Sequence, residues 1–255
     1  MSLYDTNALG KQFPGLVIRH FTTVDSTNSE ARRQYNEGLR EPALFLADQQ
    51  EKGRGRHGRS FYSPADTGIY MTLLYPVHAV YEDARRATAK TAVAVYRGIR
   101  ELTDLPVGIK WVNDLYLYGK KIVGILVESI FSEDAVQALI VGIGINVTTA
   151  HFPEELLRKA GSLGKEVDRT ALAAAVLRQL IPELQQLGDL SYLELYRSAS
   201  IVLGKKILYE NSRCEIKAAV AAEIDDDGAL VVEKPDGTRE VLHSGEVSIR
   251  TPDGW

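Results

Sequence analysis

Residues 107–147 hold four strand-like stretches, VGIKW, LYLY, KIVGILVES and VQALIVGIGINV, with only a few residues between them. Gly119-Lys120 and the SED stretch at 132–134 supply turns, so the run is predicted to fold as a meander of adjacent antiparallel strands. Upstream, 17–24 (VIRHFTTV), 43–48 (ALFLAD) and 69–75 (IYMTLLY) read as further strands. Asp25-Ser26-Thr27-Asn28 is rich in helix N-cap residues, and the polar stretch through Asn36 is the helix it starts. Ala84, Ala87, Thr91, Val95, Ile99 and Leu102 recur at helical spacing over 82–104, stopped by Pro106. Downstream, 153–160 and 168–187 look helical, the second interrupted by Pro182, and a third helix covers about 189–200. After Gly204 five short strands alternate with tight turns, a pattern that predicts a small β-barrel. The expected class is therefore α+β: antiparallel strands and helices up to a domain boundary near residue 203, and a small β-barrel beyond it.

Composition narrows the function. The 255 residues carry a formal net charge of −4, and a sequence pI near 5.8 argues against a dedicated nucleic-acid binder. No apolar run approaches the roughly 18 residues of a spanning helix, and the N-terminus lacks the pattern of a signal peptide. The single cysteine, Cys214, cannot form an intramolecular disulfide and fits a reducing compartment, so the cytoplasm is the expected location.

The chemistry-bearing residues fall in clusters at strand ends and turns. Residues 53–59, Gly-Arg-Gly-Arg-His-Gly-Arg, join glycines that let backbone approach a ligand to arginines that suit carboxylate and phosphate oxygens. Ser26, Thr27, Asn28 and Gln50 offer donors and acceptors for a neutral polar group. Lys110-Trp111-Val112-Asn113-Asp114 sets a cation, an indole, an amide and a carboxylate at one strand end. Lys121 opens KIVGIL, and GIGIN (142–146) ends an apolar strand in Asn146. Each alone has a plainer reading: a helix cap, a solvated or RNA-contacting loop, a core tryptophan beside a capped turn, a core strand. The five histidines show no metal-ligand spacing, and Asp225-Asp226-Asp227-Gly228 reads as a hairpin turn rather than a calcium loop.

Taken in order, the clusters resemble the biotin protein ligase family, in GRGRHGR, KWVND, KIVGIL, the Ser-Thr-Asn start and the Gly-Ile-Asn strand. The resemblance runs from about Val17 to Arg250. It implies a class II synthetase-like catalytic domain over 1–202, a mixed, mainly antiparallel sheet backed by helices, followed by an SH3-like barrel over 203–255. It also implies ATP-dependent activation of biotin to biotinyl-5′-AMP, with Mg²⁺ carried on the ATP, and transfer to a lysine of a biotin carboxyl carrier domain. By resemblance, Ser26, Thr27, Asn28 and Gln50 would hold the ureido ring. Arg54, Gly55 and Arg56 would fold over biotin and adenylate, ordering when ligand arrives. Lys121 would lie against the biotin carboxylate and the α-phosphate. Arg54, Arg56, Arg59, Lys110, Trp111, Asn113, Asp114 and Asn146 would line the nucleotide end. Lys121, Arg56 and Asp114 are the expected catalytic residues, Asp114 toward the incoming amine, with no resident metal.

Only about 16 residues precede the first strand, too few for a helix-turn-helix, so neither DNA binding nor repressor activity is expected. Val112 stands where relatives commonly have proline, and His57 where they often have another basic residue. The resemblance leaves homodimer and monomer open. A lipoate ligase or octanoyl transferase is the nearest rival reading. A nucleic-acid module built on the arginine loop and the barrel is the rival from another class.

Overall fold

The computed structural model describes residues 3–132, 135–210, 215–245 and 247–249; Cys214 and the Glu133-Asp134 turn lie outside them. The first unit runs α1 (Thr6–Gln12), β1 (Val17–Val24), α2 (Thr27–Asn36), β2 (Ala43–Gln50), β3 (Gly68–Ala79), α3 (Tyr81–Arg85) and α4 (Ala87–Leu102). It continues with β4 (Gly108–Lys110), β5 (Asp114–Leu117), β6 (Lys120–Ser132), β7 (Ala135–Asn146), α5 (Arg169–Gln185) and α6 (Tyr192–Ser198). Its seven strands form one sheet in the order β1-β2-β3-β7-β6-β5-β4. Only β1 and β2 pair in parallel; the other neighbours are antiparallel, and β7-β6-β5-β4 is the meander that the short connections dictate. The last five strands, β8 (Lys206–Glu210), β9 (Ile216–Ile224), β10 (Leu230–Glu233), β11 (Arg239–Leu242) and β12 (Val247–Ile249), make a separate antiparallel sheet ordered β11-β10-β9-β8-β12. Among the described residues β11 and β12 do not pair, so the predicted barrel is observed as an open sheet.

Strand alternation sorts the large sheet into two faces. On β7, Leu139, Val141, Ile143 and Ile145 join the main core under α4, α5 and α6, with Ile69, Met71 and Leu73 of β3. The opposite face carries Ala138 and Ile140, packed with Phe45, Leu74 and Ala31 beneath α2. Further along that face β7 presents Gly142, Gly144 and Asn146, and β6 presents Gly124 opposite Gly144 and Leu126 opposite Gly142. The glycines leave a shallow trough where side chains would otherwise stand.

Three helices depart from the sequence reading. The helix predicted over 82–104 is two helices that meet at Arg86, whose guanidinium pairs with Asp83 and Asp227. Pro182 does not interrupt α5: it leaves the carbonyl four residues back without an N–H, but Leu180 and Leu184 stay buried and Glu183 pairs with Lys90. Residues 153–160 form only a short 3₁₀ turn at Glu154–Leu156, because the following backbone is committed elsewhere. Lys121 N donates to Lys159 O and Gly161 N to Lys121 O, both at 2.8 Å.

Candidate functional site

The glycine-floored trough opens into a cleft of about 230 Å³, walled by the arginine loop on one side and by Asn113, Asp114, Lys121, Asn146, Phe152, Leu156 and Lys159 on others. Beside it lies a smaller polar pocket of about 20 Å³, lined by Ser26, Thr27, Asn28, Gln50, Gly142 and Gly144 among others. Arg54, Phe61 and Gly124 line both. The Phe61 ring rests on the floor between them, where a Cβ at Gly144 would come within 2.4 Å of it.

The small pocket is a connected set of polar side chains at the start of α2. Ser26 is the N-cap but makes no side-chain cap bond. The Thr27 N–H and hydroxyl both donate to Gln50 Oε1 (2.9 and 3.1 Å), and Gln50 Nε2 donates to Ser63 Oγ (2.9 Å). Thr72 Oγ1 lies 2.7 Å from both Thr27 Oγ1 and Asn28 Oδ1. Ser26, Thr27 and Asn28 are all buried. Gly142 is required here, since a Cβ would fall 2.0 Å from Asn28 Oδ1. Next to Ser26 in the chain, two bonds from Arg33 hold the Asp25 carboxyl down at about 2.

The arginine loop is a compact turn: Gly55 N donates to Arg59 O (2.7 Å), Arg59 N to Arg56 O (3.1 Å) and Phe61 N to Gly53 O (2.9 Å). Gly53 allows the close return, because a Cβ there would meet Phe61 O at 2.4 Å. Arg56 reaches across the cleft to Asn113 Oδ1 (3.2 Å) and to Gly245 O of the C-terminal unit (3.4 Å). Arg54 turns toward β6 and meets the Glu128 carboxylate with both terminal nitrogens, at 3.0 and 3.1 Å. Lys121 Nζ lies 2.7 Å from Asp114 Oδ1. Asn146 Nδ2 donates to Gly161 O (2.9 Å), while its buried Oδ1 has no partner among the described residues.

The structure therefore brings together Ser26, Thr27, Asn28, Gln50, Arg54, Gly55, Arg56, Arg59, Asn113, Asp114, Lys121 and Asn146. It does not bring Lys110 and Trp111 into the cleft wall. The indole is 3% exposed, packs in the core and donates to Gly228 O (3.0 Å), while Lys110 Nζ reaches Tyr116 Oη (3.3 Å). Burial keeps the Tyr196 phenol protonated well above its usual range, and it donates to Val112 O (2.9 Å), holding this segment from behind. Sequence reasoning missed Phe61, Tyr62, Phe152, Leu156, Lys159 and Glu128. Tyr62 and Phe152 stand with ring centroids 6.1 Å apart as an aromatic wall. For Glu128 a signal existed, since alternation from Gly124 through Leu126 puts it on the same face.

Comparison with known proteins matches residues 21–146 to the Biotin/lipoate A/B protein ligase family and 215–250 to the Biotin protein ligase C terminal domain. A biotin--[acetyl-CoA-carboxylase] ligase of Paracoccus denitrificans is 32% identical over 236 residues, spanning 88% of this chain and 97% of that protein. The chain belongs to the biotin protein ligase family. Biotin ligation is the activity that places a protein in this family. The bifunctional ligase/repressor BirA of Bacillus subtilis is 31% identical over 244 residues, covering 92% of this chain and 74% of the relative. The Aquifex aeolicus biotin protein ligase in complex with biotin and ATP superposes with a TM-score of 0.76 at 28% identity, over 92% of this chain and 98% of that one. Among the described residues no helix is long and apolar enough to cross a membrane.

Proposed function

We propose that the small polar pocket receives the biotin head group and the cleft receives the nucleotide, so that the biotin carboxylate meets the α-phosphate beside Lys121. The observation that carries this reading is the end-to-end arrangement of a neutral, hydrogen-bonding pocket and a cationic cleft along one glycine-floored face. Ser26, Thr27, Asn28 and Gln50 suit a ureido group, which both donates and accepts; a dithiolane or an alkyl chain would leave those groups unpaired. Phe61 must swing aside to admit the bicyclic ring.

A carboxylate is a poor acyl donor until its oxygen is made a better leaving group. Attack of the biotin carboxylate oxygen on the α-phosphorus forms the acyl-adenylate and expels pyrophosphate. Two anions meet in that step, and Lys121 and Arg56 are placed to offset their repulsion. Asn113 and the unpaired Asn146 oxygen provide polar contacts in the nucleotide wall, and Tyr62 and Phe152 provide flat apolar surface for a base. Asp114 is the cleft-lining carboxylate and is already paired with Lys121. Mg²⁺ enters this reading as a companion of ATP that keeps several of its waters.

In the second step the lysine ε-amine of a biotin carboxyl carrier domain attacks the mixed anhydride and releases AMP. Asp114 orients that amine or takes its proton. Gly245 in the cleft wall gives the C-terminal unit, read as an SH3-like barrel beginning near residue 203, a share in the site. The test is pyrophosphate exchange into ATP with biotin, with lipoate and with neither. Exchange with biotin alone is the expected result. Exchange with lipoate would move the protein to the rival ligase branch, and none with either would overturn the reading.

A further inference from the structure

We infer that Glu128 is the latch of the arginine loop, and that Arg54 works through it as a positioning residue rather than as a phosphate ligand. The inference rests on the proposed head-group pocket. On β6, Glu128 follows Gly124 and Leu126 on the site face, opposite Ile140. Its carboxylate gathers donors from two other parts of the chain. Asn28 Nδ2 donates to Oε2 at 3.0 Å and Arg32 to Oε1 at 3.3 Å, both from α2. Arg54 of the loop adds the two-pronged pair at 3.0 and 3.1 Å. The Glu128 side chain is only 18% exposed, and the planar fork of an arginine on a carboxylate fixes direction as well as distance.

Two consequences follow. By accepting a hydrogen bond from the Asn28 amide, Glu128 holds Asn28 Oδ1 toward Thr72 and the small pocket, so the head-group donors and acceptors are set before biotin arrives. By holding Arg54, it pins the loop one residue before Gly55 and Arg56, which places those two over the cleft. One carboxylate thus joins the pocket that recognises biotin to the loop that covers the adenylate. Arg54, committed to Glu128, leaves Arg56 and Lys121, with Arg59 and Lys159, as the cations lining the cleft.

The test is a double-mutant cycle on Glu128→Gln and Arg54→Ala in the full chain, with thermal unfolding of each variant as the folding control. Readouts are the release rate of pre-formed biotinyl-adenylate, and KM for biotin against turnover in pyrophosphate exchange. A charge-assisted hydrogen bond converts to about tenfold or more, so each single variant is expected to release adenylate about tenfold faster. The rise in KM for biotin should exceed any fall in saturated exchange. The double variant should be no worse than the worse single within about twofold, because both remove one interaction. Effects that multiply, or a fall in exchange turnover with KM unmoved, would overturn the latch and return Arg54 to the phosphate. Since Arg54 is 42% exposed, its variant folds even where Glu128→Gln does not, and retention unchanged in Arg54→Ala alone refutes the proposal. Absence of biotin-dependent exchange in the parent would instead refute the functional reading.

Discussion

Removing Lys121 separates two explanations of why a lysine sits at this point of the cleft. Its ammonium lies 2.7 Å from Asp114, with the two side chains 33% and 18% exposed. If it stabilises the meeting of carboxylate and phosphate, Lys121→Ala forfeits a transition-state contact of the kind worth about 10²–10³ in rate. The structure adds a second cost, because Asp114 is left facing the incoming phosphate without its partner. Unit charges about 4 Å apart at a surface-like effective dielectric interact by roughly 4 kcal/mol, so this repulsion is not negligible. The single variant is therefore expected at the severe end, about 10³ below the parent in biotin-dependent pyrophosphate exchange. Lys121→Ala combined with Asp114→Asn removes the repulsion but not the lost contact, and should recover to about 10² below the parent. Exchange isolates the adenylating half-reaction, so the proposed role of Asp114 toward the carrier amine does not intrude. Full recovery in the double variant would show that Lys121 serves only to neutralise Asp114, and its role at the meeting of carboxylate and phosphate would be refuted.

Gly142→Ala should abolish biotin binding measured by calorimetry, because the new methyl collides with Asn28 Oδ1; wild-type affinity would mean the small pocket is not the head-group site. In the core, Lys90 is fully buried with Nζ 2.9 Å from Glu183, which also accepts from Arg97 at 3.2 Å. Glu183→Ala strands that ammonium and should cost about 3–5 kcal/mol, whereas Lys90→Met leaves Glu183 with Arg97 and should be near neutral. Equal losses in urea unfolding would contradict the assignment of the charge that carries the penalty.

The sequence reading reached the strand order of the meander because short connections permit little else, and it reached Ser26, Thr27, Asn28 and Gln50 as a polar group. What it could not see was which face each strand turns to the site. GIGIN reads as a core strand until β3 and β6 are placed on either side; only then do Gly142 and Gly144 become a floor and the isoleucines between them become core. The resemblance sets Trp111 at the nucleotide end together with Asn113 and Asp114, yet its indole is buried in the core and its hydrogen-bond partner lies 117 residues away in the C-terminal unit. Phe152, Leu156 and Lys159 arrive from a segment whose helical pattern is overridden by backbone bonds to Lys121, a tertiary commitment with no local signature.

The Trp111 anchor has a consequence for how this enzyme fails in heat. The segment that supplies Asn113 and Asp114 hangs from Gly228 on one side and from Tyr196 on the other. The turn around Gly228 belongs to a small sheet whose strands each bury fewer residues than α4 or α5, and regions with fewer buried contacts open at lower free energy. Warming should then slacken the cleft while α4 and α5 are still intact, and turnover would decline well below the temperature at which helical dichroism is lost.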